Sequence, residues 1–286
     1  MEKVWFDGKL IDRAEAKVDI LTHALHYGTS AFEGIRFYRR NDGSLNILKL
    51  KEHIDRLFYT ASILNIKIPY SVEEVMKACK ETVTENNLNE GYIRPISFFG
   101  LGSKGLDTRN SSSHTAIIAW EWGAYLGEEG MEKGIKITVV PLRRMITELS
   151  KAKIGGFYYN SVIARNEAAS KGFDEALMLD TDGFVAEGSG ENIFVIKDGK
   201  ISTPSLGALL PGITRNTVIE IAKSKGYEVT EKKITLDELK QADEVFFTGT
   251  AAEITPIAQI DETMIGNGAG EITKELRDEF FRLIKE

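Results

Sequence analysis

Cysteine is almost missing from this chain: Cys79 is the only one in 286 residues. No internal disulfide can form, and a thiolate-rich metal site is excluded. Cys79 itself falls in a helical apolar pattern and is expected as a core thiol. Basic residues are outnumbered, 36 Lys and Arg against 43 Asp and Glu, for a net charge of −7. Proteins that grip a phosphate backbone present a basic face, so no nucleic-acid partner is expected. No stretch approaches the roughly 18 apolar residues of a membrane span. The opening Met1-Glu-Lys-Val-Trp-Phe-Asp-Gly8 lacks the basic-then-apolar order of a secretory leader, and a cytoplasmic protein with no membrane contact is expected. The four histidines (His23, His26, His53, His114) show no metal-ligand spacing, so no metal is expected. Gly-x-Ser-x-Gly, Walker and Rossmann patterns are missing from any strand-to-helix setting, which leaves nucleophilic serine chemistry without support. Internal repeats and low-complexity tracts are absent as well.

What is present is an ordinary globular composition, 42% hydrophobic and 28% charged, in a chain long enough for two modest domains. Val4 to Ile11 reads as a hairpin about Asp7-Gly8, and a second hairpin turns through Asn41-Asp-Gly43. Ile54, Leu57, Phe58, Ala61 and Leu64 keep the spacing of an amphipathic helix ending before Pro69, and Ser71-Val-Glu-Glu74 is a capping box opening another. Strands are expected at 92–99 and 114–120. Gly123 to Gly130 has no periodicity and is expected as a connection. The expected organisation is a small N-terminal α+β domain over 1–120, an inter-domain loop at 121–131 and a larger domain over 132–286. The latter begins with a strand from Ile135 and continues through a helix from Ser161 to Lys171, with Asn160 as its cap. Short strands turn at Asp-Gly 182–183 and 198–199, and further helices run over 212–225, after Thr235 and over 270–285. Hairpins outnumber βαβ alternation, so the class is α+β rather than a doubly wound sheet.

Three stretches carry chemistry. Lys151-Ala-Lys-Ile-Gly-Gly-Phe-Tyr-Tyr-Asn160 sets amines beside two glycines and two tyrosines. A lysine in a dry, aromatic place favours its neutral form, the form that attacks carbonyls, although the residues alone favour a solvated Lys-x-Lys pair before a turn. Leu210-Pro-Gly-Ile-Thr-Arg215 opens a helix whose free N–H groups suit a phosphate, and Phe247-Thr-Gly-Thr-Ala-Ala-Glu253 ends a strand in small and hydroxyl residues that suit an anion. Glu187 and Glu191 flank the Gly188-Ser-Gly190 turn. Either could face a cleft and keep a heterocyclic nitrogen protonated, or sit exposed on a loop. Arg56 and Arg94 lie in apolar patterns and each wants an anion, with a structural carboxylate as the default partner.

These signals occur together and in order. The chain resembles the branched-chain-amino-acid aminotransferases, members of the fold-type IV (class IV) pyridoxal-phosphate enzymes, at His23-Ala-Leu-His-Tyr-Gly-Thr-Ser-Ala-Phe-Glu-Gly-Ile-Arg36, Tyr92-Ile-Arg-Pro95, Trp122-Gly-Ala-Tyr-Leu126, Lys153-Ile-Gly-Gly, Glu187-Gly-Ser-Gly-Glu-Asn192, Leu210 to Arg215 and Gly249 to Pro256. The resemblance implies a small N-terminal α/β sandwich lobe and a larger C-terminal, β-barrel-like, PLP-binding lobe with helices. It implies pyridoxal 5'-phosphate as cofactor and Lys153, rather than Lys151, as the catalytic lysine that bonds it. Glu187 is then the partner of the ring nitrogen, and Tyr158 that of the phenolic oxygen. Arg56, Ile213, Thr214 and Thr250, beside Gly249, hold the phosphate.

For substrate, the resemblance implies an aromatic wall of Tyr27, Phe32, Trp122 and Tyr125, with Gly34 and Arg36 in the same pocket. The α-carboxylate would meet Tyr92 and the backbone at Thr250 and Ala251, and Arg94 would meet the distal carboxylate of glutamate. The implied reaction is ping-pong transfer of the amino group of L-leucine, L-isoleucine or L-valine to 2-oxoglutarate. The implied assembly is at least a homodimer, with residues 100–112 of one subunit closing the other's pocket. Phe157 departs from the family, where a polar residue is common. Arg94-Pro95-Ile96 lacks the Arg-x-His of the D-amino-acid aminotransferases, and the Phe-Glu-Gly-Ile-Arg and Trp-Gly-Ala-Tyr stretches set the chain apart from the aminodeoxychorismate lyases. A non-catalytic ligand-binding protein would leave Lys153 and Glu187 idle.

Overall fold

The computed structural model describes residues 2–123, 125–266 and 268–286. The chain divides into two compact units, the first Met1–Gly123 with Ala152–Tyr158, the second Ala124–Lys151 with Tyr159–Glu286.

In the first unit, β1 (Lys3–Phe6) and β2 (Lys9–Asp12) form the expected hairpin, with Asp7 and Gly8 at positive φ. A short helix α1 (His23–Tyr27) leads to β3 (Ser30–Phe32), β4 (Ile35–Arg39) and β5 (Leu45–Ile47), then to helices α2 (Leu50–Ile63) and α3 (Val72–Glu85), and to the long hairpin β6 (Gly91–Phe99) and β7 (Ser113–Glu121). The α3 capping box is complete, the Ser71 hydroxyl accepting from the Glu74 N–H while the Glu74 carboxylate accepts from the Ser71 N–H. The strands make one sheet in the order β2-β1-β7-β6-β4-β5, with β3 also on β6.

Residues directly opposite across antiparallel strands share a face, and neighbours along a strand alternate. Ile35, Ile93 and Ala119 are in register, and Ile117 lies opposite Pro95. Together with Ala31 and Phe37 they pack on Ile54, Leu57, Ala61, Val75, Cys79 and Val83 of the two helices. The alternate positions Phe32, Arg36, Tyr92, Arg94 and Trp120 therefore share the other face. Period two in the sequence separates core from site.

The second unit contains α4 (Glu128–Lys133), β8 (Ile135–Arg144), α5 (Tyr158–Ser170), β9 (Glu175–Asp180), β10 (Val185–Gly188), β11 (Asn192–Lys197), β12 (Lys200–Pro204), α6 (Ile213–Ser224), β13 (Val229–Lys232), α7 (Leu236–Lys240), β14 (Glu244–Gly249), β15 (Glu253–Ile260), β16 (Thr263–Met264) and α8 (Glu271–Lys285). Its strands run β10-β9-β8-β15-β14-β11-β12-β13 in one mixed sheet, with β16 on β15. The sheet curls enough for β10 to lie against β11 and β12, a half-barrel. Residues of six strands, among them Ile137, Leu177, Val185, Val195, Phe247 and Ile257, fill its apolar core. Asp-Gly turns close β9–β10 and β11–β12 as the sequence indicates.

Three expectations are corrected. Residues 152–158, placed by sequence in the C-terminal domain, pack with the first unit, because Ile154 bridges to Ala31 and the Gly156 N–H donates to Gly28 O at 2.9 Å. The stretch read as an aperiodic connection after Gly123 ends in the short helix α4. Helix α5 starts at Tyr158, preceded by a 3₁₀ turn at Gly155–Phe157, so Asn160 lies inside it. The Asn160 side chain donates to Arg143 O instead of capping the helix.

Candidate active site

Lys153 sits at the end of a segment held tightly to the first unit. Its N–H donates to the Thr60 hydroxyl of α2 at 3.0 Å, and its carbonyl accepts from Phe32 N–H. The Gly-Gly step beyond it is a matter of space: a side chain at Gly28, which has φ +65°, would stand 2.5 Å from Gly156 Cα. Thus anchored, the Lys153 amine donates to the Tyr158 hydroxyl at 2.7 Å and lies 4.9 Å from the centroid of the Phe32 ring. Lys151, two residues earlier, is an exposed amine paired with Glu148 at 2.6 Å. The two lysines thus have different surroundings, one beside a phenol and the other paired at the surface.

Arg56 has the carboxylate partner that its apolar setting demanded. Its Nε and Nη2 donate to the two oxygens of Glu33 at 2.6 and 2.9 Å, and His53 Nδ1 donates to Glu33 at 2.7 Å. Glu33 is wholly buried. Burial alone would raise its carboxyl, but the Arg56 charge and the His53 hydrogen bond outweigh it and hold Glu33 well below the usual carboxylate range. Burial pushes His53 down, so it serves as a neutral donor. The sequence reading missed Glu33, His53 and Thr60. The signal was there in the helical phase, since His53, Arg56 and Thr60 fall on one face of α2.

Removing Glu33 leaves two buried donors without their acceptor. Glu33→Gln is expected to destabilise the protein by about 3 kcal/mol at neutral pH. A group with a depressed folded pKa stabilises above its unfolded value and loses that contribution as pH falls. Urea unfolding should therefore show the full gap between wild type and variant above pH 4.5, the ordinary glutamate value, and a narrowing gap below it.

The sheet face opposite the helices carries the substrate candidates. Gly34 packs under Tyr92 so closely that a Cβ would fall 1.7 Å from the Tyr92 hydroxyl. Tyr92 meets Trp122 edge-on at 4.9 Å. The Arg36 guanidinium donates to the Trp122 and Gly123 carbonyls. Arg94 has no carboxylate against it among the described residues; its guanidinium lies over the rings of Phe32, Tyr92 and Trp120 at 5.0, 5.5 and 5.8 Å. Tyr27, expected in the aromatic wall, stands exposed on α1 with its hydroxyl donating to Lys104 O.

The second unit gathers the remaining candidates. A β-bulge between Val185 and Glu187 turns Glu187 inward, where it is buried rather than on an exposed loop. Arg144 Nε lies 3.0 Å from one of its oxygens, while Asn192 Nδ2 donates to the other at 3.1 Å and to Leu210 O at 2.9 Å. Asn192 thus ties Glu187 to the segment that opens α6, where Gly212 is the N-cap, no described side chain caps the first turn, and Ile213 and Thr214 follow. Asn192 also pairs in register with Thr248, and Gly249 lies against Glu191. Thr250 and Ala251 form the turn between β14 and β15. Tyr125 is partly exposed beside Arg165.

Glu191 is buried next to Glu187 and Glu175. Burial first, then the Glu175 charge, pushes its carboxyl up to about 8, so Glu191 holds a proton at neutral pH while Glu187 stays paired with Arg144. Arg144 and Asn192 were not assigned roles from sequence. Arg144 ends a strand without any pattern that marks it.

The first unit thus holds a lysine beside a phenol, and the second, by itself, a buried carboxylate and an uncapped helix start. The family described as amino-transferase class IV matches residues 30–260, and the fold agrees with that class. The chain is 48% identical to the branched-chain-amino-acid aminotransferase of Pseudomonas aeruginosa, over 98% of this chain and 92% of that one. Among solved structures, the Escherichia coli branched-chain amino acid aminotransferase superposes with a TM-score of 0.97 at 40% identity, covering 99% of this chain and 95% of that one. The branched-chain amino acid aminotransferase of Thermobaculum terrenum, solved in its PLP form, gives 0.92 at 32% identity, covering 99% and 94%. The chain belongs to the branched-chain-amino-acid aminotransferases of class IV.

Proposed function

We propose that this protein moves the amino group of L-leucine, L-isoleucine or L-valine to 2-oxoglutarate in a ping-pong reaction, with Lys153 as the lysine that bonds pyridoxal 5'-phosphate. The observation that carries this is the Lys153 amine at 2.7 Å from the Tyr158 hydroxyl, fixed through Thr60 and the glycines, while Lys151 points to solvent.

The residues fit the cofactor. Tyr158 in the first unit is suited to the phenolic oxygen, and Glu187 in the second, with Arg144 and Asn192 fixing its carboxylate, to the ring nitrogen. The uncapped start of α6 at Ile213 and Thr214, the Gly249-Thr250 turn and Arg56 are suited to the phosphate. Bound there, pyridoxal phosphate supplies an electron sink that makes the Cα proton of an amino acid acidic. Lys153 Nζ then takes that proton and returns it as the amino group changes hands. Tyr92 and the Thr250–Ala251 backbone orient the α-carboxylate. Phe32, Trp122, Tyr125 and Tyr27, beside Gly34 and Arg36, receive the apolar side chain and exclude water. Arg94 meets the distal carboxylate of glutamate or 2-oxoglutarate.

A cytoplasmic protein assembled at least as a homodimer belongs to the same reading. It is supported by the lone buried Cys79 and by the exposed Ile20, Leu25 and Leu106 of the first unit, apolar side chains that a second subunit would cover. No helix among the described residues is long and apolar enough to cross a membrane.

The test is a panel of L-amino donors against 2-oxoglutarate with purified holoenzyme, following glutamate. Leucine, isoleucine and valine should exceed alanine, aspartate and D-amino acids in kcat/KM by about tenfold or more, as the burial of several methylenes requires. Preference for a D-amino acid, or no glutamate from any branched donor, would sink the reading.

A further inference from the structure

One pocket has to accept both an aliphatic side chain and a carboxylate, and the arginine that makes this workable is held in an unusual way. On the sheet face of β6, the residues brought to Arg94 by register are Ile118 opposite it, Tyr92 and Ile96 along its strand, Trp120 opposite Tyr92 and Phe32 opposite Ile96. None is acidic. The half-buried guanidinium of Arg94 instead lies over the Phe32, Tyr92 and Trp120 rings at 5.0, 5.5 and 5.8 Å. Arg56 presents the contrast within the same unit, its guanidinium forked onto the Glu33 carboxylate. An anion that approaches Arg56 has to share its guanidinium with Glu33. Aromatic faces attract a cation without supplying a counter-charge. The Arg94 charge therefore stays available to an anion, while an aliphatic side chain meets ring surface rather than a carboxylate.

We propose that Trp120 is a specificity-determining positioning residue. With Phe32 and Tyr92 it holds the Arg94 guanidinium by ring faces and so sets the affinity for a substrate with a second carboxylate, separately from that for a branched aliphatic one. The proposal rests on the reading of Arg94 as the partner of the distal carboxylate. Phe32 cannot isolate the effect, because its ring also borders the Lys153 amine at 4.9 Å, nor can Tyr92, which is assigned to the α-carboxylate. Trp120 packs tilted against Tyr92 at 5.3 Å and Trp122 at 5.9 Å, and of the three rings around Arg94 it is the one assigned neither to substrate nor to the Lys153 amine.

The experiment titrates holoenzyme with two acids that lack the amino group, glutarate and 4-methylpentanoate, by calorimetry, together with the KM values for glutamate and leucine. Trp120→Leu should weaken glutarate about tenfold more than 4-methylpentanoate and raise the glutamate KM with the same bias. Trp120→Phe, which keeps a ring on the strand, should show the same bias at about threefold. Equal weakening of both acids by both variants would mean a structural role only, and no bias toward glutarate would overturn the proposal. Arg94→Met is the arm that separates the two claims. If it leaves glutarate binding intact, the assignment of Arg94 fails. If it abolishes glutarate binding while the Trp120 variants show no bias, the assignment stands and the proposal for Trp120 falls.

Discussion

Replacing Lys153 by alanine is expected to lower kcat/KM for leucine by roughly 10⁴-fold or more, because one amine both bonds the cofactor and moves the Cα proton, and a positioned general base alone is worth up to about that factor. The purified variant should also lose the near-ultraviolet absorbance of covalently bound cofactor. The neighbouring variant Lys151→Ala should stay within about twofold of wild type, since Lys151 is an exposed partner of Glu148 and such pairs contribute little. Comparable losses in both variants would remove the distinction on which the site is built.

The second large effect concerns charge rather than covalency. Glu187→Gln keeps the shape and the hydrogen bond from Asn192 but cannot hold a ring nitrogen protonated. A loss of roughly 10³-fold in kcat is expected, the size found when one preorganised group at a developing charge is removed. Arg144 would face a neutral amide at 3.0 Å, so the unfolding midpoint should be measured alongside. Glu187→Asp retains the charge and should recover part of the rate. If the Asp and Gln variants are equally slow while both remain folded, distance rather than charge is the cause and the ring-nitrogen role is wrong. Glu191→Gln should be far milder, because that carboxyl, pushed up to about 8 by burial and the Glu175 charge, is already protonated at neutral pH.

Much of the fold was legible because it rests on local rules. The two capping boxes, at Ser71 and Thr235, and the Asp-Gly turns at 7–8, 182–183 and 198–199 satisfy backbone groups within a few residues. Apolar spacing in α2 and α3 marks one buried face. What was not legible depends on partners distant in the chain. The return of residues 152–158 to the first unit rests on contacts with Gly28 and Ala31, more than a hundred residues earlier, which no window can show. Helix α5 begins at Tyr158 because the 3₁₀ turn before it already sets the helical direction, whereas Asn160 has the composition of a cap without that role.

The site divides along the same line. Lys153, Tyr158 and Glu187 were named through a family resemblance, since their residue types alone favoured solvated lysines and an exposed glutamate. Burial of Glu187 requires the bulge in β10, invisible in a short Val-Ala-Glu-Gly strand. The supporting residues Glu33, His53, Thr60, Arg144 and Asn192 escaped because each is defined by what it touches. Arg56 and Arg94 began with the same expectation, a structural carboxylate, and diverged: Arg56 found Glu33 and Arg94 found three rings.

The most direct test of the lysine assignment is reduction of the holoenzyme with borohydride, proteolysis and mass mapping of the modified peptide. A pyridoxyl group on Lys153, with Lys151 unmodified in the same peptide, is the expected result. Modification of Lys151, or of a lysine outside residues 151–160, would contradict it.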